Sequence, residues 1–192
     1  MSIAELIQGP RQSAGLSQRG LAALADVPQP SIAELESGSQ RDATVGLVQR
    51  LLASCGAQLI SVPTTTPSVA AVASVLRGYV AANKRGLAFR QLLQLNDDLV
   101  SEPVGTRLAL CLTAPGLTGD RGIDAFLAAV VEYRLGQSRL PIPEWTAQPE
   151  RYCEPVWDVA GVPALAADVR RSTPQPFKQH GVLISKEDLT SV

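Results

Sequence analysis

Apolar residues recur at helical spacing through most of this chain, and polar breaks cut the recurrence into short runs. Ile3, Leu6 and Ile7 open the first run, which Gly9-Pro10 shortens or kinks. Leu21, Ala22, Leu24 and Ala25 form the next apolar face. Ser17 precedes it as an N-cap, because its hydroxyl can accept from a free N–H of the first turn. Asp26-Val27-Pro28 ends that face, and Ile32 with Leu35 resumes it in another short helix. Asp26 falls where a tight inter-helix turn needs a left-handed backbone, which Asp tolerates better than most residues other than glycine. Gly38 stops the second helix. Thr44 caps a further run of Val45, Val48, Leu51, Leu52 and Cys55, which Gly56 ends.

Gln58-Leu59-Ile60-Ser61-Val62 is short and β-prone, and the proline-bounded polar stretch Pro63–Pro67 follows it as a linker. The chain therefore divides into residues 1–62, a linker at 63–67, and a second domain at 68–192. There Ser68 caps a helix running to about Lys84, with Val69, Val72, Val75, Leu76, Tyr79 and Val80 on its apolar side. After Arg85-Gly86, helices are predicted over 87–100, 106–112 and 124–135, the last with Phe126, Leu127, Val130 and Val131 inward. From Leu140 onward, Pro141, Pro143, Pro149, Pro155 and Pro163 allow only short pieces. Val182–Ile184 reads as a small strand, and Ser185 with Asp188 as the cap of a terminal turn. The expected fold is mainly α: an N-terminal helix-turn-helix bundle ending in a short β-strand, then a second helical domain with an irregular, proline-rich C-terminal third.

Composition narrows the function classes. Hydrophobic residues make up 45% of the chain but aromatics only 4%, so Leu, Val and Ala must fill the core. No apolar run approaches the roughly 18 residues of a membrane span, and the N-terminus lacks the basic region of a signal peptide. Cys55, Cys111 and Cys153 are odd in number and far apart, which fits reduced, buried thiols in a cytoplasmic protein. His180 lies in a polar turn and reads as solvated. Asp97-Asp98 and Asp120 with Asp124 read as solvated or helix-dipole carboxylates. Gly116–Gly122 lacks the Lys-Ser/Thr of a phosphate loop. The chain is thus expected to be a binding protein and not an enzyme, with no catalytic residues, no metal and no cofactor.

Leu16-Ser17-Gln18, Leu21-Ala22, Ser31-Ile32, Leu35-Glu36-Ser37-Gly38 and Gly56-Ala57-Gln58-Leu59 resemble the Cro/C1-type, or xenobiotic-response-element type, helix-turn-helix family over about the first sixty residues. The resemblance implies an α-bundle that binds operator double-stranded DNA as a homodimer. By position, Gln18 and Arg19 resemble phosphate contacts. Gln29, Ser31 and Glu34 resemble base-facing positions of the recognition helix, and Gln40 and Arg41 backbone contacts. Gln can bond adenine bidentately and Glu can accept from cytosine N4. Two features depart from the pattern. Pro28 and Pro30 flank Gln29, which makes Gln29 the expected N-cap with Pro30 at the first helical position. The domain is also not basic: Arg11, Arg19, Arg41 and Arg50 stand against Glu5, Asp26, Glu34, Glu36 and Asp42. Dimerisation has a candidate in Gln58, Leu59, Ile60 and Val62, which pair either with their own copy across a two-fold axis or with a strand of the second domain.

The second domain resembles the C-terminal half of a group of bacterial regulators of the same type, on Ala88-Phe89-Arg90, Leu95–Leu99, Thr118-Gly119-Asp120, Ile123–Ala128, Pro141–Trp145, Pro149–Arg151, Pro155-Val156-Trp157, Pro174–Phe177 and Gly181–Ile184. That resemblance implies an autoregulating antitoxin that neutralises a cognate toxin protein, of a nucleotidyltransferase-like kind, by binding it. Asp158–Gly161 departs from the bulky aromatic that often follows the Pro-x-Trp. Trp145, Tyr152, Trp157 and Phe177 are the candidate partner-binding residues, since Trp and Tyr dominate interface hot spots; core anchoring is the other reading. The alternatives in function are a regulator whose second domain senses a small molecule, and a degenerate helix-turn-helix kept only as an interaction module.

Overall fold

Local caps set most of the helix boundaries. The computed structural model describes residues 2–40, 42–159, 161 and 166–189, in two units that divide between Ser61 and Val62. In the first unit, α1 (Ile3–Ser13) opens with a reciprocal capping box between Ser2 and Glu5 and runs through Pro10 without ending. In α2 (Gln18–Ala25) the Ser17 hydroxyl accepts from Gly20 N–H at 3.0 Å. The helix stops at Asp26 in the left-handed region, φ 52°. α3 (Gln29–Ser37) follows, and ends at Gly38, φ 75°. Thr44 caps α4 (Val45–Ser54). Ile7, Leu21, Ala22, Ala25, Ile32, Leu35 and Leu51 make the core.

Three expectations change here. Gln29 is the first residue of α3 and not its N-cap; Ser31 N–H bonds Pro28 O at 3.1 Å, a tight first turn that draws Gln29 into the helix. Leu24 is exposed, because at about 100° per residue it stands well off the face shared by Leu21, Ala22 and Ala25. Gln58–Val62 forms no strand. The described strands pair with each other in the second unit, so this segment has no ladder partner among the described residues, and Leu59, Ile60 and Val62 are exposed.

The second unit is built around one helix. α5 (Val69–Ala81), α6 (Arg85–Ser101) and α7 (Val104–Leu112) precede α8 (Arg121–Gln137), which is buried continuously from Gly122 to Val131. A helix covered on every side belongs in a core: α6, α7, α10 (Gln175–Gln179), β2 (Val182–Leu183) and single-turn helices at Glu144–Ala147 and Pro149–Arg151 all pack on it. β1 (Trp157–Asp158) pairs parallel with β2, Trp157 opposite Val182. α9 (Ala166–Ser172) precedes α10. Phe126 ties the aromatics together, with Phe177 at 5.1 Å, Phe89 at 6.3 Å and Trp157 at 6.4 Å between ring centroids.

α8 starts three residues before the predicted 124 because Asp120 is the cap, accepting from Gly122 and Ile123 N–H. The Pro63–Pro67 stretch is partly tied down. Thr65 and Thr66 each donate a backbone N–H and a hydroxyl to Oε1 of Glu102, at 2.8–3.0 Å. Those bonds hold the Glu102 carboxyl below its ordinary range. No helix among the described residues is long and apolar enough to cross a membrane.

Candidate nucleic-acid interface

The start of α2 and the start of α3 meet through side chains. Arg11, near the end of α1, forks onto Glu36: Nε donates to Oε1 at 2.6 Å and Nη2 to Oε2 at 2.8 Å. Its remaining Nη1 donates to Leu16 O at 2.7 Å. Glu36 Oε2 also accepts from Gln18 Nε2 at 2.9 Å, and Gln18 Oε1 accepts from Gln29 Nε2 at 3.1 Å. The order of atoms follows from chemistry. A carboxylate only accepts, so the Gln18 NH₂ must face Glu36, and its oxygen must then face Gln29. Burial pushes the Glu36 carboxyl up, but the bonds from Arg11 and Gln18 outweigh it and hold the group below the usual range. The bond to Glu36 raises Arg11 in turn.

Gln29 therefore arrives at the tip of α3 with one N–H committed; its other N–H and its carbonyl oxygen have no partner among the described residues. Ser31 is half-buried, while Arg19 and Glu34 are exposed. Gln40 is exposed, and its side chain donates to Asp42 O at 3.0 Å. Arg41 lies outside the described residues. The structure thus joins Gln18 to Gln29 and leaves Arg19 and Glu34 open to solvent. Arg11 and Glu36 complete the relay; the sequence offers neither as a site residue, Arg11 standing in a charge balance and Glu36 there and in the family-like stretch Leu35–Gly38, and twenty-five positions separate them.

The second unit revises several site expectations. Trp145 and Phe177 are core residues, not docking groups: Trp145 is 5% exposed with Nε1 donating to Cys111 O at 2.8 Å, and Phe177 is fully buried. Both are enclosed because the C-terminal pieces wrap α8. Tyr152 is exposed and Trp157 half-buried. His180 is not solvated. Its Nδ1 lies 2.8 Å from Arg151 O, its Nε2 lies 3.1 Å from Glu132 Oε1, and Tyr152 stacks on the ring at 4.7 Å. The hydrogen bond from His180 lowers the Glu132 carboxyl.

Asp124 is also interior, since its helix is. It accepts from Thr118 N–H at 3.0 Å and stands 3.4 Å from Arg151 Nη1. Arg151 donates as well to Pro115 O and lies under the Trp145 ring at 5.1 Å, while its Nε is buried without a partner among the described residues. Cys55, Cys111 and Cys153 are free thiols, and burial pushes Cys111 up to about 12. The described residues hold no cluster of three or more His, Cys, Asp or Glu that could bind a metal.

Residues 11–59 match the family model described as helix-turn-helix, which runs from the last turn of α1 through α4. That segment supports a DNA-binding transcriptional regulator of the Cro/C1 type. Neither a curated protein nor a solved structure matches the chain.

Proposed function

We propose that this chain is a homodimeric operator-binding repressor that reads bases with the start of α3 and acts as an autoregulating antitoxin. The observation that carries the DNA-binding part is the Arg11–Glu36–Gln18–Gln29 relay. A free glutamine side chain at a helix tip samples many rotamers. Here the relay orients the Gln29 amide before DNA arrives, which reduces the ordering cost of binding. The uncommitted N–H and oxygen of Gln29 are the donor and acceptor that adenine N7 and N6 require. Ser31 and Glu34 supply further base contacts, and Arg19 and Gln40, with Arg41, contact the phosphates.

So few cations give weak non-specific attraction and a shallow salt slope. Useful affinity then needs two linked half-sites. Gln58, Leu59, Ile60 and Val62 offer the link, as an exposed segment without a strand partner among the described residues. The toxin-binding part rests on the sequence resemblance of the second domain. Of the four candidate aromatics, Tyr152 and Trp157 keep solvent access for such a partner.

The test uses the full chain on the DNA upstream of its own gene. Gln29→Ala relaxes the preference at one adenine by about 1–3 kcal/mol, and Arg19→Ala weakens all sequences alike. If neither alters binding, the domain is an interaction module only. Ile60→Pro gives monomers in sedimentation if the segment pairs across the two-fold; an unchanged dimer moves the contact elsewhere. Co-purification of the adjoining gene's product tests the antitoxin part, and its failure to bind or be neutralised removes that part alone.

A further inference from the structure

A cavity of about 510 Å³ opens on the second unit between α6, the start of α8 and the loop from Cys153 to Trp157. Its volume lies in the roughly 300–1,000 Å³ range of small-molecule sites. Phe89, Leu92, Ile123 and Trp157 supply apolar walls. These walls are anchored. Phe89 stands edge-on to the buried Phe126, and Trp157 N–H bonds Gly181 O at 2.8 Å within the β1–β2 pair. The indole lies against the backbone of α8 at Gly122, where a Cβ would come within 2.7 Å of a ring carbon. The anchored Trp157 is therefore a fixed aromatic wall of the space.

Charge at the cavity defines the occupant further. Arg85 and Arg121 are balanced by Asp120 and Glu154. Asp120 Oδ1 is committed to the α8 amides, and its Oδ2 stands 3.9 Å from Arg85. A ligand of either net charge meets one favourable and one unfavourable pair. A neutral ligand that both donates and accepts hydrogen bonds uses both kinds.

We propose that this cavity binds a small, planar, uncharged aromatic molecule bearing a hydrogen-bond donor and acceptor, of the carboxamide type, against the face of Trp157. The site gives the second unit a small-molecule ligand. It is independent of the DNA-binding reading, whose test is read on residues of the first unit.

The probes are benzamide, benzoate and benzylammonium, titrated into the full chain. The readout is the pair of indole N–H resonances from Trp145 and Trp157, assigned with Trp157→Phe. Benzamide shifts the Trp157 resonance with saturation in the millimolar range that a fragment of this size allows (about 4 kcal/mol). It leaves Trp145 in place, and the two charged probes bind at least several-fold more weakly. Arg121→Glu, a surface change at the first turn of α8, tips the cavity towards negative charge and makes benzylammonium the tighter of the charged pair. The proposal is overturned if no probe saturates, if Trp145 responds instead, if a charged probe binds the unaltered chain best, or if Arg121→Glu leaves the order unchanged.

Discussion

Among the described residues, each unit holds one arginine–carboxylate pair with little side-chain exposure, and the two pairs do opposite things. Arg11 and Glu36 meet as a fork of two short bonds, 11% and 3% exposed at the side chain. Glu36 still has room for Gln18, so its desolvation is offset and its carboxyl stays low. Arg151 and Asp124 meet through one 3.4 Å contact, 2% and 5% exposed. Burial pushes Asp124 above its ordinary value, against the pull of Thr118 and Arg151, and pushes Arg151 down. The first pair passes an orientation outward, through Gln18 to Gln29. The second fastens inward: the loop at Pro115, the turn at Arg151 and the ring of His180 all close around α8. The same two functional groups make a positioning device where geometry is bidentate and one end reaches solvent, and an internal clamp where neither holds.

Removing one member of each pair separates these roles. Arg151→Leu has the largest expected effect, because it leaves Asp124 buried without its cation; about 3–5 kcal/mol is lost. Denaturant unfolding followed by tryptophan fluorescence reads it, since Trp145 and Trp157 both lie in the second unit. Operator binding by the folded variant should be unchanged. A loss under 1 kcal/mol would remove the clamp from the comparison. Glu36→Ala costs less, about 1–3 kcal/mol, because Arg11 stands near enough to water to rehydrate. Hydrogen exchange over α1–α3 measures that loss, and the adenine preference assigned to Gln29 should fall with it. If the preference survives, Gln29 is not positioned by the relay.

A smaller contrast lies in pH. The folded value of Glu36 is depressed below 4.5, so its contribution is complete above 4.5 and fades as pH falls through the folded value. Asp124 is raised above 3.8, so its contribution is complete below 3.8 and fades as pH rises through the folded value. Glu36→Gln should flatten the acid limb of first-unit stability. Asp124→Asn should instead flatten, in the second unit, the loss that sets in as pH rises above 3.8 through the folded value. Profiles that change in the same sense would break the contrast. The smallest effect is expected at Glu102→Gln, which weakens the grip on Thr65 and Thr66. Limited proteolysis between Gln58 and Pro67 should speed up while both units keep their fold. An unchanged cleavage rate would show that those bonds do not tether the segment.

Much of the first unit was legible because its signals are local. Ser17, Asp26, Gly38 and Thr44 act on backbone groups within a few positions, so each can be read without knowing what packs nearby. Gln18 and Gln29 were legible as site candidates through a family pattern, but not as a bonded pair, because the bond depends on Glu36 and on an arginine from another helix. In the second unit the same local signals placed α5 to α8 to within a few residues, left α9 and α10 unpredicted, and misjudged the environment. His180 lies beside Gly181 in a turn-like sequence, and Asp124 lies near a helix start; both contexts are usually wet. Here each is dry because other segments cover it.

What the sequence by itself determined is therefore the helix-turn-helix, the caps and stops of the first unit's helices, and the mainly helical character of the second unit. These follow from side-chain periodicity and from caps whose partners lie within one turn. Only the tertiary structure decided which charges are buried, which aromatics are core, and that Gln58–Val62 finds no strand partner among the described residues. The physical reason is range. A cap costs or gains energy against its own backbone, whereas the desolvation of Asp124, the bidentate fit of Arg11 on Glu36 and the enclosure of Trp145 depend on groups tens of residues away.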